Sequence, residues 1–186
     1  MDVVTRIIAG AVGGRRLEVP KGDRTRPTSD RVREAVFSGL DARGVLRGAR
    51  VLDLFAGSGA LGLEAASRGA AEVTLVDSSR AAIDVARRNV TTLGMRATIV
   101  LSSVQKFLTG RTPVAQDVVL LDPPYGIGED VVEEALAALL DGWLAPGGVV
   151  VLERSSRSLE PRWPAGLLRE GVRTYGETVI WTAVRR

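Results

Sequence analysis

The sequence predicts an α/β fold built on a mostly parallel sheet, and three observations carry that reading. Three short apolar runs each end in a carboxylate: Val51-Leu52-Asp53, Leu75-Val76-Asp77 and Val119-Leu120-Leu121-Asp122. Runs of this length, bounded by turn residues, read as buried parallel strands. Between them lie stretches of helical periodicity, such as Ile83, Ala86, Val90 and Leu93, and strands alternating with helices are the pattern of βαβ units. The first run passes into Gly57-Ser58-Gly59-Ala60-Leu61-Gly62, a G-x-G-x-x-G turn whose glycines let backbone approach a nucleotide.

The chain opens with two strand-like runs, Arg6-Ile7-Ile8-Ala9-Gly10 and Arg16-Leu17-Glu18-Val19, separated by Gly13-Gly14 and ended by Pro20. They predict a β-hairpin, so that residues 1–24 form a hairpin and basic arm ahead of a main domain over 25–186. Residues 15–33 hold Arg15, Arg16, Lys21, Arg24, Arg26, Arg31 and Arg33 around three acids, either a solvated basic face or a nucleic-acid contact. Arg26-Pro27-Thr28-Ser29-Asp30 leads into a helix capped by Ser29 or Asp30. Val32, Ala35, Val36 and Leu40 line its inner face, and Arg31 and Arg33 point elsewhere. After the glycine turn a helix runs to about Gly69, and residues 72–77 form the second strand. Asp77 stands 24 residues after Asp53, near where an acid takes ribose hydroxyls. The next helix ends at Gly94, and residues 97–101 form the third strand. Ser102-Ser103 at its exit is placed either to meet an adenine edge or to cap a helix from Val104 to Leu108.

Val118 to Leu121 is the fourth strand and runs into Asp122-Pro123-Pro124-Tyr125. The prolines lack N–H groups and restrict φ, so the strand stops there and leaves the sheet as a stiff elbow. Ligands of open α/β sheets bind outside the carboxyl ends of the strands, where Asp122 and Tyr125 then sit. A carboxylate beside an exposed ring suits a planar base with an exocyclic amine. Asp122 and the Pro123 carbonyl accept the amine hydrogens while Tyr125 stacks on the base. Asp-Pro-Pro is also ordinary turn chemistry. Glu129, Asp130, Glu133 and Glu134 open a helix and stabilise its N-terminal end; they are not read as a metal site. Val131, Ala135, Leu136 and Leu139 face inward. Pro146-Gly147-Gly148 turns into a fifth strand through Leu152, and residues 167–175 and 178–184 are antiparallel strands closing on Gly176-Glu177. Trp143, Trp163 and Trp181 read as core or rim packing.

Composition narrows the chemistry. The 186 residues suit one domain, with 45% apolar residues for a core and no run long enough to span a membrane. Met1 to Arg6 lacks a signal-peptide pattern, so a cytoplasmic location is expected. Without cysteine or histidine, a Ser-His-Asp or Cys-His site, an ordinary N/S zinc site and a cysteine-nucleophile base methylation are all excluded. The net charge of +3 conceals an asymmetry: residues 1–50 carry eleven Lys/Arg against six Asp/Glu, or +5, and the remainder fourteen against sixteen, or −2. Nearly all the cations are Arg, the better partner for phosphates and bases, and their clustering favours an anionic polymer. Asp53 lies four residues before the first glycine. A carboxylate there repels a pyrophosphate but suits the ammonium of a methionine moiety, which favours S-adenosylmethionine over NAD.

Taken together, Arg6-Ile7-Ile8-Ala9-Gly10, the segment from Arg26 to Leu40, the segment from Asp53 to Ala70 and Asp122-Pro123-Pro124-Tyr125 resemble the RsmD-type methyltransferases. That family modifies a guanine N2 in bacterial small-subunit (16S) ribosomal RNA. The resemblance implies a Rossmann-like class I methyltransferase fold, with seven strands ordered 3-2-1-4-5-7-6. It implies a cofactor site at Asp53, Gly57, Gly59 and Asp77, with Ser103 near the adenine and Thr28 beside Arg26 at the cofactor mouth. Ser102-Ser103 departs from the acidic or amide residue usual in the broader class. Asp122, Pro123 and Tyr125 become the catalytic group, and Arg15, Arg16, Arg24, Arg26 and Arg31 the RNA contacts. The expected partner is small-subunit ribosomal RNA, free or in a partly assembled subunit, met by a monomer without membrane or metal. Three rivals share parts of this pattern. A DNA adenine-N6 methyltransferase shares Asp-Pro-Pro-Tyr but needs a target-recognition domain. An NAD-dependent oxidoreductase explains only the glycines. A non-catalytic RNA-binding module leaves the cofactor pocket unexplained.

Overall fold

The apolar runs pair side by side. In the computed structural model, which describes residues 5–20 and 30–186, the strands are β1 (Arg50–Leu54), β2 (Glu72–Asp77), β3 (Thr98–Leu101) and β4 (Gln116–Leu121). They continue with β5 (Leu144–Ser155), β6 (Leu167–Tyr175) and β7 (Thr178–Arg185). They form one seven-stranded sheet in the order β3-β2-β1-β4-β5-β7-β6, as the resemblance implied. The first five strands run parallel, and β7 lies antiparallel to both β5 and β6. The chain steps from β1 outward through β2 to β3, then returns to lay β4 on the other side of β1. That reversal creates a crevice at the carboxyl ends of β1 and β4.

The sheet is covered on both faces, which is why its central strands are apolar throughout. On one side Val51, Val118 and Leu120 pack with Phe37 of α1 (Asp30–Ala42), Leu63 of α2 (Ala60–Ser67) and Ala86 of α3 (Arg80–Leu93). On the other, Leu52, Leu54, Val119 and Leu121 meet α4 (Val104–Thr109) and α5 (Glu129–Ala138). Trp143 and Trp181 are buried in that second layer and Trp163 packs at its rim, as the sequence suggested. No helix among the described residues is long and apolar enough to cross a membrane.

Three expectations change in detail. On α5 the buried stripe is Val132, Ala135, Leu136 and Leu139, while Val131 is exposed. The observed set follows the i, i+3, i+4, i+7 spacing, and Val131 lies one residue, about 100°, off its centre. The N-terminal runs pair antiparallel about one bridge, Arg6 to Arg16: Ile7 N–H donates to the Arg15 carbonyl at 2.9 Å, Gly14 N–H to the Ile7 carbonyl at 2.7 Å and Leu17 N–H to the Thr5 carbonyl at 2.8 Å. The expected hairpin is therefore present but short and irregular, a strap whose other N–H groups, those of Ile8, Ala9, Val12 and Glu18, donate to side chains of the helical layer. Arg33 does not point to solvent: it is fully buried, and its Nη2 donates to the Arg6 carbonyl and to Asp30, both at 2.6 Å. Burial pushes its guanidinium below the ordinary value against the pull of Asp30 and Glu64.

The strap is held by side chains of α2. Glu64, fully buried, accepts from Ile8 N–H at 2.7 Å, Ala9 N–H at 3.1 Å and Arg68 Nε at 2.7 Å. Arg68 continues to Asp41 at 2.8 Å and Glu34 at 2.9 Å, both on α1. One carboxylate therefore ties the strap to α2 and, through Arg68, to α1. Removing one partner of a buried ion pair leaves the other charge uncompensated, at a cost of about 3–5 kcal/mol. Glu64→Ala is expected to destabilise the protein by that amount in urea unfolding; a loss below about 1 kcal/mol would show that the strap is held by its apolar residues alone.

Candidate active site

The site begins where β1 ends. Phe55 takes φ 65°, left-handed backbone that an aromatic residue rarely adopts, and turns the chain sharply out of the sheet. Ala56 N–H donates to the Val76 carbonyl at 2.9 Å, clipping the turn to β2. Gly57 N–H then donates to Asp77 Oδ2 at 2.8 Å, and the other oxygen of Asp77 accepts from Ser79 N–H at 2.7 Å. Gly59 stands before α2 at φ 84°, open to glycine without strain. Gly62 is required by packing: a Cβ there would lie 2.3 Å from Leu75 Cδ2. With no side chain in the way, Gly62 N–H donates to Asp53 Oδ2 at 2.8 Å.

Asp53 is fully buried beneath this turn, and its Oδ1 has no hydrogen-bond partner among the described residues. Burial pushes its carboxyl up to about 8; the Gly62 N–H opposes that shift, and the charges of Asp122 and Asp77 add to it. Three carboxylates from the ends of β1, β2 and β4 thus feel one another across the crevice. The arrangement repels phosphate and favours a cation.

β4 supplies the other wall. Leu54 pairs with Leu121 in the β1–β4 register, so Asp122 leaves the sheet level with the start of the glycine turn. Asp122 is half-buried, Pro123 buried, and Tyr125 is 54% exposed. Ring exposure of this kind, on a residue held by two prolines, leaves a face open for stacking. The elbow closes with Ile127 N–H donating to the Pro124 carbonyl at 3.1 Å. From the end of β5, buried Arg154 donates to the Ile127 carbonyl at 3.2 Å and to Glu129 at 2.6 Å, anchoring the elbow where it joins α5.

The remaining predicted residues divide. Ser103 caps α4, its Oγ accepting from Lys106 N–H at 3.3 Å, which leaves its O–H free to donate elsewhere. Arg15, Arg16 and Arg31 are exposed, although Arg15 Nη2 also donates to the Thr92 carbonyl at 2.6 Å. Lys21, Arg24, Arg26, Thr28 and Ser29 lie outside the described residues. Glu129 and Glu133 are engaged by Arg154 and Arg162, which goes beyond the helix-dipole role read from sequence. Sequence reasoning missed Arg154, which resembles any strand-end residue. It also missed Asn89, whose Nδ2 reaches the Ser58 carbonyl at 3.0 Å; a polar residue on the apolar face of α3 was the available signal.

The donors fit S-adenosylmethionine. Asp53 Oδ1 is a buried acceptor without a partner among the described residues, the acidic crevice suits an ammonium and a sulfonium, and the glycine turn admits close backbone approach. Comparison with known proteins points the same way. The family described as "Conserved hypothetical protein 95" matches residues 5–184. Ribosomal RNA small subunit methyltransferase D of Escherichia coli K12 is 42% identical over 163 residues, covering 86% of this chain and 79% of its own. The solved structure of Escherichia coli yhhF superposes with a TM-score of 0.87 at 37% identity, over 98% of both chains. The Thermus thermophilus 16S rRNA N2 G1207 methyltransferase, solved with AdoMet and guanosine, superposes at 0.64 with 25% identity, over 88% of this chain and 45% of that one.

Asp53 also sets a pH dependence. Its folded pKa of about 8 lies above the ordinary value of 3.8, so the folded state keeps a proton that the unfolded state releases. The stabilisation is fully present below about pH 4 and is lost as pH rises through about 8. Ligand-free protein is expected to lose up to about 1.4 kcal/mol per pH unit across that window, and Asp53→Asn to flatten the slope. Urea unfolding of both proteins from pH 5 to pH 8.5 (roughly the span that brackets the titration) measures it, and identical slopes would refute the buried-acid account.

Proposed function

The chain belongs to the RsmD family of ribosomal RNA methyltransferases, and from that premise we propose that it methylates the exocyclic N2 of a guanine in small-subunit ribosomal RNA, using S-adenosylmethionine. The observation that carries this reading is the in-register exit of β1 and β4, which sets the Asp122-Pro123-Pro124-Tyr125 elbow beside the glycine turn. The guanosine held by the Thermus relative supports the choice of base.

The cofactor supplies an electrophilic methyl group on a sulfonium. Asp53 offers its unpartnered oxygen to the ammonium from beneath the turn, and Gly57 and Gly59 bring backbone against the methionine moiety. Asp77 spends two acceptor positions on Gly57 and Ser79, and a carboxylate has about four, so ribose hydroxyls find room. Ser103 accepts one bond as the cap of α4 and keeps its O–H as a donor, so in this reading it stands near the adenine edge together with backbone groups at the β3 exit. Thr28 stands in this reading at the cofactor mouth.

Guanine N2 is a poor nucleophile because its lone pair is delocalised into the ring. Asp122 and the Pro123 carbonyl accept its two hydrogens and so aim the lone pair along the line of attack, and they offset the positive charge that grows on nitrogen. As the N2–CH3 bond forms and the S–CH3 bond breaks, the bonding pair returns to sulfur and N2 sheds a proton toward Asp122. Tyr125 stacks on the base, worth about 1–3 kcal/mol by analogy with single-strand binders. The guanine must be unpaired or flipped to enter. Arg15, Arg16, Arg24, Arg26 and Arg31 contact the phosphates. The protein acts in the cytoplasm as a monomer, on RNA whose own fold, in a free or partly assembled subunit, supplies part of the selectivity.

Asp122→Ala is expected to abolish turnover with S-adenosylmethionine binding retained, and Asp53→Ala chiefly to weaken that binding. Mass spectrometry of the small-subunit RNA, together with calorimetric titration of cofactor, reads both; full activity in Asp122→Ala would end the amine-gripping mechanism. Alanine at Arg16, Arg24 and Arg26 should weaken RNA binding and lower the salt slope by about 0.7 per lost contact. An unchanged slope would place the RNA on another face. Methylation of adenine in DNA, with ribosomal RNA untouched, would replace the substrate class altogether.

A further inference from the structure

Asn89 is buried on the apolar face of α3, between Val85 and Leu93, at 2% exposure. An amide there is costly unless its polar atoms are satisfied. Asn89 Oδ1 accepts from Glu18 N–H at 2.8 Å, and Nδ2 donates to the Glu18 carbonyl at 3.0 Å and to the Ser58 carbonyl at 3.0 Å. The first two bonds grip the strap as a neighbouring strand would. The third reaches the glycine turn between Gly57 and Gly59. One side chain therefore serves the N-terminal strap and the cofactor turn together.

The surroundings make that link stiff. Arg88 Nε donates to Glu18 Oε2 at 2.8 Å, and Arg15 reaches the Thr92 carbonyl, so the Glu18 end of the strap is fastened to α3. The other end is fastened to α2, the helix that the glycine turn opens. Glu64 holds Ile8 and Ala9 there, Ser67 Oγ donates to the Ala9 carbonyl at 2.5 Å, and Val12 N–H donates to Ser67 Oγ at 3.2 Å. The strap spans the two helices that flank the turn, and its exposed Arg16 faces solvent.

We propose that Asn89 is a positioning residue that couples the two substrates: filling the cofactor site fixes the Ser58 carbonyl, which fixes the Asn89 amide and, through it, the strap that presents Arg16 to RNA. The inference rests on the methyl-transfer reading above. Because linkage is reciprocal, cofactor binding tightens RNA binding by the same factor as RNA tightens cofactor binding.

The test measures affinity for unmethylated, in vitro transcribed small-subunit RNA with and without saturating S-adenosylhomocysteine. The wild-type protein is expected to bind RNA about fivefold or more tightly with the cofactor product present, at the lower end of ordinary coupling. In Asn89→Ala each ligand alone binds within about threefold of wild type, while the coupling factor falls to about one. Arg88→Ala, which removes an exposed contact to Glu18 without reaching Ser58, keeps the factor. Asn89→Ser serves as a second variant should the alanine substitution unfold the protein. Hydrogen exchange at the Glu18 amide provides a readout on the wild type itself, with protection rising when S-adenosylhomocysteine is added. A wild-type factor of one, a factor that survives in Asn89→Ala, or an equal loss in Arg88→Ala overturns the assignment and leaves methyl transfer standing. A chain that binds neither ligand overturns both.

Discussion

The parallel pairing of β1 with β4 is the constraint on which the site depends. Leu54 lies against Leu121, so the two strands end level with each other and discharge two very different loops into one crevice. One loop is backbone-rich and turns through glycine; the other is stiffened by two prolines and carries Asp122. A slip of one residue in this register would turn every side chain of β4 to the opposite face. Asp122 would then leave the sheet on the wrong side of the elbow. Both faces of the pair are packed with aliphatic side chains, which makes such a slip expensive.

Electrostatics at the crevice follow from that geometry. Asp53, Asp77 and Asp122 converge because three adjacent parallel strands all end there, and Asp53 is held under the turn without access to water. A buried acid whose carboxyl is pushed up by burial and by two further carboxylates suits a positively charged ligand. The same crowding explains why the dinucleotide reading of the glycine turn fails. The turn alone is compatible with a pyrophosphate, and the acids around it are not.

The N-terminal strap shows how a segment with little regular structure is held. Glu64, Ser67 and Asn89 supply the hydrogen bonds that a strand partner would otherwise give its backbone, and Ile7 and Leu17 enter the same core as α1, α2 and α3. Each of the three anchoring side chains comes from a helix next to the glycine turn. The arm that carries exposed arginines and the glycine turn are therefore built from one set of supports.

The strands, the glycine turn and the Asp122-Pro123-Pro124-Tyr125 elbow were legible in the sequence because each is a local effect: apolar period, permitted φ, absent N–H groups. Family likeness added the sheet order, which periodicity does not contain. Other features were illegible because they depend on partners far along the chain. Arg33 looked like one more surface cation until the Arg6 carbonyl closed over it. Ser103 could be placed as a cap only once Lys106 N–H was seen to reach its oxygen. Asn89 and Arg154 gained their roles from residues 71 and 27 positions away, Glu18 and Ile127. Local chemistry determines which groups a chain can offer; only packing decides which of them are left facing a ligand and which are consumed in holding the site together.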